Sequence, residues 1–106
     1  MSIVYDMFKR VSTKNSVTAS NNDSGLEATL RVWGRSNVNI YYSVSGAADI
    51  VVEVSNDGSN YYTLDTISTS GAQSEVLQYP FMAWEYVRVR TSTTGIDVTF
   101  EITASR

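Results

Sequence analysis

The sequence predicts an all-β protein, an antiparallel β-sandwich of jelly-roll type with about eight strands. Three observations lead there. Apolar and polar residues alternate with period two, as where Leu26, Ala28, Leu30 and Val32 are interleaved with Glu27, Thr29 and Arg31. Clusters of Gly, Asn, Asp and Ser interrupt that alternation roughly every ten residues. No window shows the 3.6-residue apolar period of a helix.

The chain has 106 residues and no cysteine, which suits one domain with one core built without disulfides. Residues 1–24 read as an N-terminal arm and first edge segment, and residues 25–106 as the sandwich body. The arm is apolar at Ile3, Val4, Tyr5, Met7 and Phe8, then basic at Lys9, Arg10 and Lys14. Against Asp6 those three cations give residues 1–14 a net +2; the whole chain carries -3, so the remainder carries -5. Ile3, Val4, Tyr5, Phe8, Lys9, Arg10 and Lys14 are therefore expected to form a docking arm. Ordering such a segment costs about 1–2 kcal/mol per residue, so it needs a firm partner surface. Asp6 interrupts the opening apolar stretch, which argues against a signal peptide, and no apolar run is long enough for a membrane-spanning helix. Asn22-Asp23-Ser24 reads as a turn.

Three hairpins follow from parity. A loop at 34–36 pairs Val32 with Val38 and Leu30 with Ile40, so both apolar rows share one face. A loop at 57–59 sets Val54 against Tyr62 and Val52 against Leu64. A two-residue Asp57-Gly58 turn would instead bury Asp65 beside Ile50, at the cost of an unpaired carboxylate. A loop at 92–95 pairs Val89 with Val98 and Val87 with Phe100, and on the other face Arg90 with Asp97 and Tyr86 with Glu101.

The stretch YPFMAWEYVRVR, residues 79–90, holds Tyr79, Phe81, Trp84 and Tyr86 beside the single proline. Pro80 disfavours a central strand, so residues 79–83 read as a crossing between the two sheets. Tyr79, Phe81, Trp84 and Tyr86 are then core caps or interface residues. Arg88 and Arg90 are expected beside acids of a neighbouring strand, not on a free basic stripe. With an acidic body this excludes a nucleic-acid surface.

Catalysis has little support. There is no histidine, no Gly-x-Ser-x-Gly elbow and no carboxylate pair that spacing places in one cleft. No catalytic residue, metal ligand or cofactor is assigned, and the protein is expected not to be an enzyme. Asn56-Asp57-Gly58-Ser59-Asn60 has calcium-loop composition, but only one carboxylate, and reads as a hairpin turn. The outward row Arg31, Trp33, Asn37, Asn39 and Tyr41 is expected on one face. It would serve as a subunit interface, rich in Trp, Tyr and Arg, or as a sugar-stacking platform, or be covered by the chain's own N-terminal segment.

VEVSNDGSNYYTLDTI (52–67) followed by WEYVRVRTSTTGIDVTFEITAS (84–105) resembles small β-sandwich structural proteins of viruses and proviruses, including capsid decoration or cement proteins. The same order is similar to discoidin-like and carbohydrate-binding jelly rolls. The first resemblance implies a non-enzymatic virion protein, assembled in the host cell, whose partners are other copies of itself and other capsid proteins, with neither nucleic acid nor membrane bound. The second implies a carbohydrate-binding module and a glycan ligand. Neither carries a functional residue across.

Overall fold

The computed structural model describes residues 13–19 by their backbone, and residues 25–33 and 35–105 with their side chains. Among the described residues eight strands form: β1 (Thr13–Ala19), β2 (Leu26–Arg31), β3 (Asn37–Val44), β4 (Asp49–Ser55), β5 (Tyr62–Ser68), β6 (Gln73–Tyr79), β7 (Tyr86–Thr91) and β8 (Val98–Ser105). They make two four-stranded sheets, ordered β1-β8-β3-β6 and β2-β7-β4-β5, and every pairing is antiparallel. No helix occurs among the described residues. This is the jelly roll that the alternation predicts: a long folded-over hairpin in which β1 meets β8, β2 meets β7, β3 meets β6 and β4 meets β5.

That order corrects two of the three expected hairpins. Consecutive strands change sheets everywhere except at β4–β5 and so cannot pair with each other elsewhere. Val32 does not face Val38; Leu30 pairs with Val87 and Ile40 with Ile102. Val89 does not face Val98; it lies between Ala28 and Val52, while Val98 pairs with Val44. Likewise Val87 pairs with Leu30 and Val54, and Phe100 with Tyr42. The reason is physical. Parity requires only that apolar rows face the same interior. A hairpin within one sheet meets that requirement, and so does a crossing that sets the two rows on opposite walls of one core. Val32, Val38, Val87, Val89, Val98 and Phe100 are all buried, as the alternation demands.

The β4–β5 hairpin forms, with Val54 opposite Tyr62. A bulge between Val52 and Glu53 then leaves Leu64 as the extra residue, so Val52 meets Asp65 instead of Leu64. β5 is also the edge strand of its sheet and is exposed along most of its length. Tyr62 is 58% exposed and Leu64 43%, which corrects the expected inward facing of both. Asp65 remains exposed, so the desolvation penalty that argued against its position opposite the core never arises.

The crossing at 79–83 is present, running from β6 in one sheet to β7 in the other. Two backbone bonds close this end of the sandwich: Met82 N–H donates to the Ser36 carbonyl at 2.7 Å and Val32 N–H to the Glu85 carbonyl at 2.7 Å. The core between the sheets is aliphatic, with Tyr42 and Phe100 its largest members. The Tyr42 hydroxyl reaches the β6 edge, where it donates to Glu75 at 3.0 Å and accepts from Gln73 at 2.8 Å. Burial, then the Glu75 bond, raises its pKa above the ordinary phenol value.

Candidate functional site

The outer face of the second sheet carries a ladder of rings and guanidinium groups. Arg31, at the end of β2, is opposite Tyr86 on β7. Its guanidinium lies 5.3 Å from the Trp33 ring centre and 5.9 Å from that of Tyr86, and it pairs with Glu85 at 2.7 Å. Trp33 is 66% exposed. One side of its ring is engaged by a cation that Glu85 holds in place, while most of its surface meets solvent. Tyr86 packs on Gly58 of the β4–β5 turn, where an added Cβ would lie 3.3 Å from the ring.

Further along the face, Arg88 stacks on Tyr61 at 3.7 Å and donates to Glu53 at 2.9 Å; Arg90 donates to the same Glu53 oxygen at 2.7 Å. Glu53 is buried although it points away from the core, because these side chains cover it. Burial pushes its pKa up, but the bonds and charges of Arg90 and Arg88 outweigh that and hold it below the usual carboxylate value. Arg88 and Arg90 therefore sit beside an acid of a neighbouring strand, but the strand is β4. Asp97, the expected partner of Arg90, precedes β8, and Glu101, expected opposite Tyr86, lies on β8 of the other sheet.

Topology divides the expected row of Arg31, Trp33, Asn37, Asn39 and Tyr41. Arg31 and Trp33 belong to the β2 side of one sheet, whereas Asn37, Asn39 and Tyr41 lie on β3 of the other. All five are exposed, but on opposite outer faces, so they do not share one face. Asn39 is opposite Gln78 and Tyr41 opposite Val76, which makes the β3–β6 face amide-rich with a small apolar centre.

A second surface lies at the β5 edge and the β6–β7 crossing. Tyr62 and Trp84 rings meet at 5.8 Å. Leu64, Tyr79, Pro80, Phe81, Met82, Ala83 and Trp84 line an open groove of about 190 Å³. Trp84, Tyr79 and Met82 pack against the core and cap it. Phe81 does not; it is 89% exposed, with φ at 64°, a left-handed conformation that costs an aromatic residue about 1–2 kcal/mol. The Tyr79 hydroxyl donates to Asp65 at 3.0 Å and ties the edges of the two sheets together. Thus Tyr79 and Trp84 are brought together as caps, Tyr86 joins the Arg31 ladder instead, and Phe81 projects outward.

The sequence reading missed Tyr61, Tyr62 and Leu64 as surface residues. The available signal was weak: YYTLDTI alternates poorly, as an edge strand exposed on both sides does. The docking arm, Ile3 to Arg10, lies outside the described residues; Lys14 falls in β1, where only the backbone is described.

The turn at Asn56–Asn60 has its own logic. Asp57 accepts bonds from Ser55 Oγ, Ser59 N–H, Asn60 N–H and Asn60 Nδ2 at 2.7 to 3.0 Å. These donors, led by the Asn60 and Ser59 backbone, hold its carboxyl well below the usual range. Both oxygens are directed into the turn, which supports the turn reading of this segment. Among the described residues, no group of three or more His, Cys, Asp or Glu comes together.

No protein-family model matches the sequence. No curated protein matches it either. Solved structures do share the fold. The SPBc2 prophage-derived protein YomS superposes with a TM-score of 0.60 at 12% identity, over 89% of this chain and 94% of that one. The PBSX exported protein XepA gives 0.68 at 8% identity over 88% of this chain, which spans only 37% of that protein. Chitosan-binding module 1 of a chitosanase/glucanase from Paenibacillus sp. IK-5 gives 0.57 at 18% identity, over 82% of this chain and 74% of that one. At these identities the likeness defines a β-sandwich fold. That fold is shared by prophage-derived proteins and by carbohydrate-binding modules.

Proposed function

We propose that this chain is a non-enzymatic virion structural protein, a capsid decoration or surface subunit that acts through protein–protein contacts. The observation that carries the reading is the open apolar groove at the β5 edge. Tyr62, Leu64, Phe81 and Trp84 present aromatic and aliphatic area there, in the residue types that anchor interfaces. Phe81 is held outward in a costly backbone conformation while contributing little to the core. The fold likeness to a prophage-derived protein and to a PBSX exported protein supports the setting. On this reading the partners are other copies and other capsid proteins, and the site of action is the particle.

The test is co-purification with assembled particles. The unmodified protein should sediment with them, and Phe81→Ser with Leu64→Ser should lower occupancy without changing the β-rich circular dichroism spectrum. Full occupancy by the doubly substituted protein would remove the reading.

The exposed Trp33, backed by Arg31 and Glu85, favours a second reading as a carbohydrate-binding module. An exposed ring beside fixed polar groups can stack a pyranose and bind its hydroxyls. Retention on chitosan or other immobilised glycans, lost in Trp33→Ala and kept in Phe81→Ser, would support it; no retention on any glycan would end it.

A further inference from the structure

We infer that the Phe81 groove receives residues 1–12 of a second copy of this chain, exchanged reciprocally in a two-fold dimer. The inference rests on the protein–protein reading above and names the occupant of that same groove.

The registers place the start of β1 and the groove at one end of the molecule. Thr13 pairs with Ala104, Ala104 with Val38, and Val38 with Tyr79, so one row crosses all four strands of the first sheet. Three strand spacings put Thr13 about 14 Å from Tyr79. Residues 1–12 precede Thr13, and twelve extended residues reach about 40 Å. A segment leaving β1 therefore starts beside the end of the sandwich that bears Pro80, Phe81 and Trp84.

The composition is complementary. The segment brings Ile3, Val4, Tyr5, Met7 and Phe8 to a groove lined by Leu64, Phe81 and Trp84. It also brings Lys9 and Arg10 to an edge where Asp65 is exposed on an acidic body. Among the described strands β5 pairs only with β4, so its outer edge offers free backbone groups to an added strand.

Size decides between groove-on-groove contact and arm exchange. A stable interface buries about 1,200–2,000 Å² in total. A few exposed side chains on each copy fall well short of that, and two arms supply the missing area. Because the exit point and the groove share one end, two copies meeting end to end place each arm on the other's groove. The contact is isologous and closes at two, instead of growing into a fibre.

The chain has no cysteine, which makes the test clean. Val4→Cys combined with Ala83→Cys in the full chain, mildly oxidised with copper–phenanthroline, should give a covalent dimer on a non-reducing gel. A disulfide-closed monomer would mean that the arm seats on its own body, and absence of any disulfide would mean that it does not seat in the groove; either overturns the inference. Sedimentation supplies the second measurement. The unmodified chain should dimerise. Phe81→Gly, which removes the side chain and relieves the left-handed backbone, should keep the fold and raise the dimer dissociation constant about tenfold or more, as should Ile3→Ser with Phe8→Ser. A monomer at all concentrations, or an unchanged constant in these variants, overturns the inference. A dimer that forms as stated but never joins particles leaves it standing and removes the assembly reading instead.

Discussion

Arg90 and Glu53 meet at 2.7 Å from Nε to Oε1 on the outer face of the second sheet, and Arg88 shares that oxygen at 2.9 Å. One carboxylate thus neutralises two cations that would otherwise repel each other along β7. Replacing Glu53 by alanine leaves Arg88 and Arg90 covering an uncharged gap. Both arginines are partly exposed, so the cost should fall below that of a fully buried pair, at about 1–3 kcal/mol by urea unfolding at neutral pH.

The same site sets the acid limb of stability. The Glu53 carboxyl titrates below its ordinary value in the folded protein. Its contribution is therefore complete above the unfolded-state value and is lost as pH falls through the folded one. Unfolding free energy should decline below about pH 4.5. Glu53→Gln should flatten part of that decline while lowering stability at pH 7; an unchanged acid limb would count against the pairing.

Val89 is a direct test of the core. It is fully buried between Ala28 on β2 and Val52 on β4. Val89→Ala should cost about 1–3 kcal/mol through lost burial and a residual cavity. Urea midpoints measured at constant slope would show it.

Two hydrogen-bonded tyrosines contribute to the alkaline limb. The Tyr42 hydroxyl donates to Glu75 and the Tyr79 hydroxyl to Asp65. Burial first, then the carboxylate partner, raises both phenols above their ordinary value. Their contribution is present below the unfolded-state value, near pH 10, and is lost as pH rises through the folded values. Stability should fall above about pH 10, and Tyr42→Phe with Tyr79→Phe should flatten that fall.

Gly58 has φ at 77° and supports the Tyr86 ring from below. Gly58→Ala should destabilise the β4–β5 hairpin by about 1–2 kcal/mol through the left-handed backbone, and more if the ring cannot move. Because Tyr86 also backs Arg31, the Trp33 fluorescence maximum should shift in the same variant. Gly71, whose added Cβ would meet nothing within 4 Å, is the control, and Gly71→Ala should leave both readouts unchanged.

The sequence by itself determined the fold class and which residues are inside. Period-two alternation marks a strand's two faces whatever that strand pairs with, so Leu30, Val32, Val38, Ile40, Val87, Val89, Val98 and Phe100 were legible as core. Pro80 marked the crossing between sheets, because a residue without an N–H interrupts a ladder. Asp57 and Gly58 marked the one hairpin among the described strands, where local turn chemistry and tertiary pairing agree.

Only the tertiary structure decided who meets whom. In a jelly roll the paired strands are far apart in sequence, so adjacency along the chain is a poor guide to adjacency in space. Parity could not separate a hairpin from a crossing, and for that reason Arg31 and Trp33 parted from Asn39 and Tyr41. It likewise could not foresee the bulge at Val52 and Glu53, which takes Leu64 out of the ladder, or the edge position of β5, which leaves Tyr62 and Leu64 exposed. Burial is encoded residue by residue. A surface made of β5, the 79–84 crossing and the tip of β2 exists only once distant strands have been laid side by side.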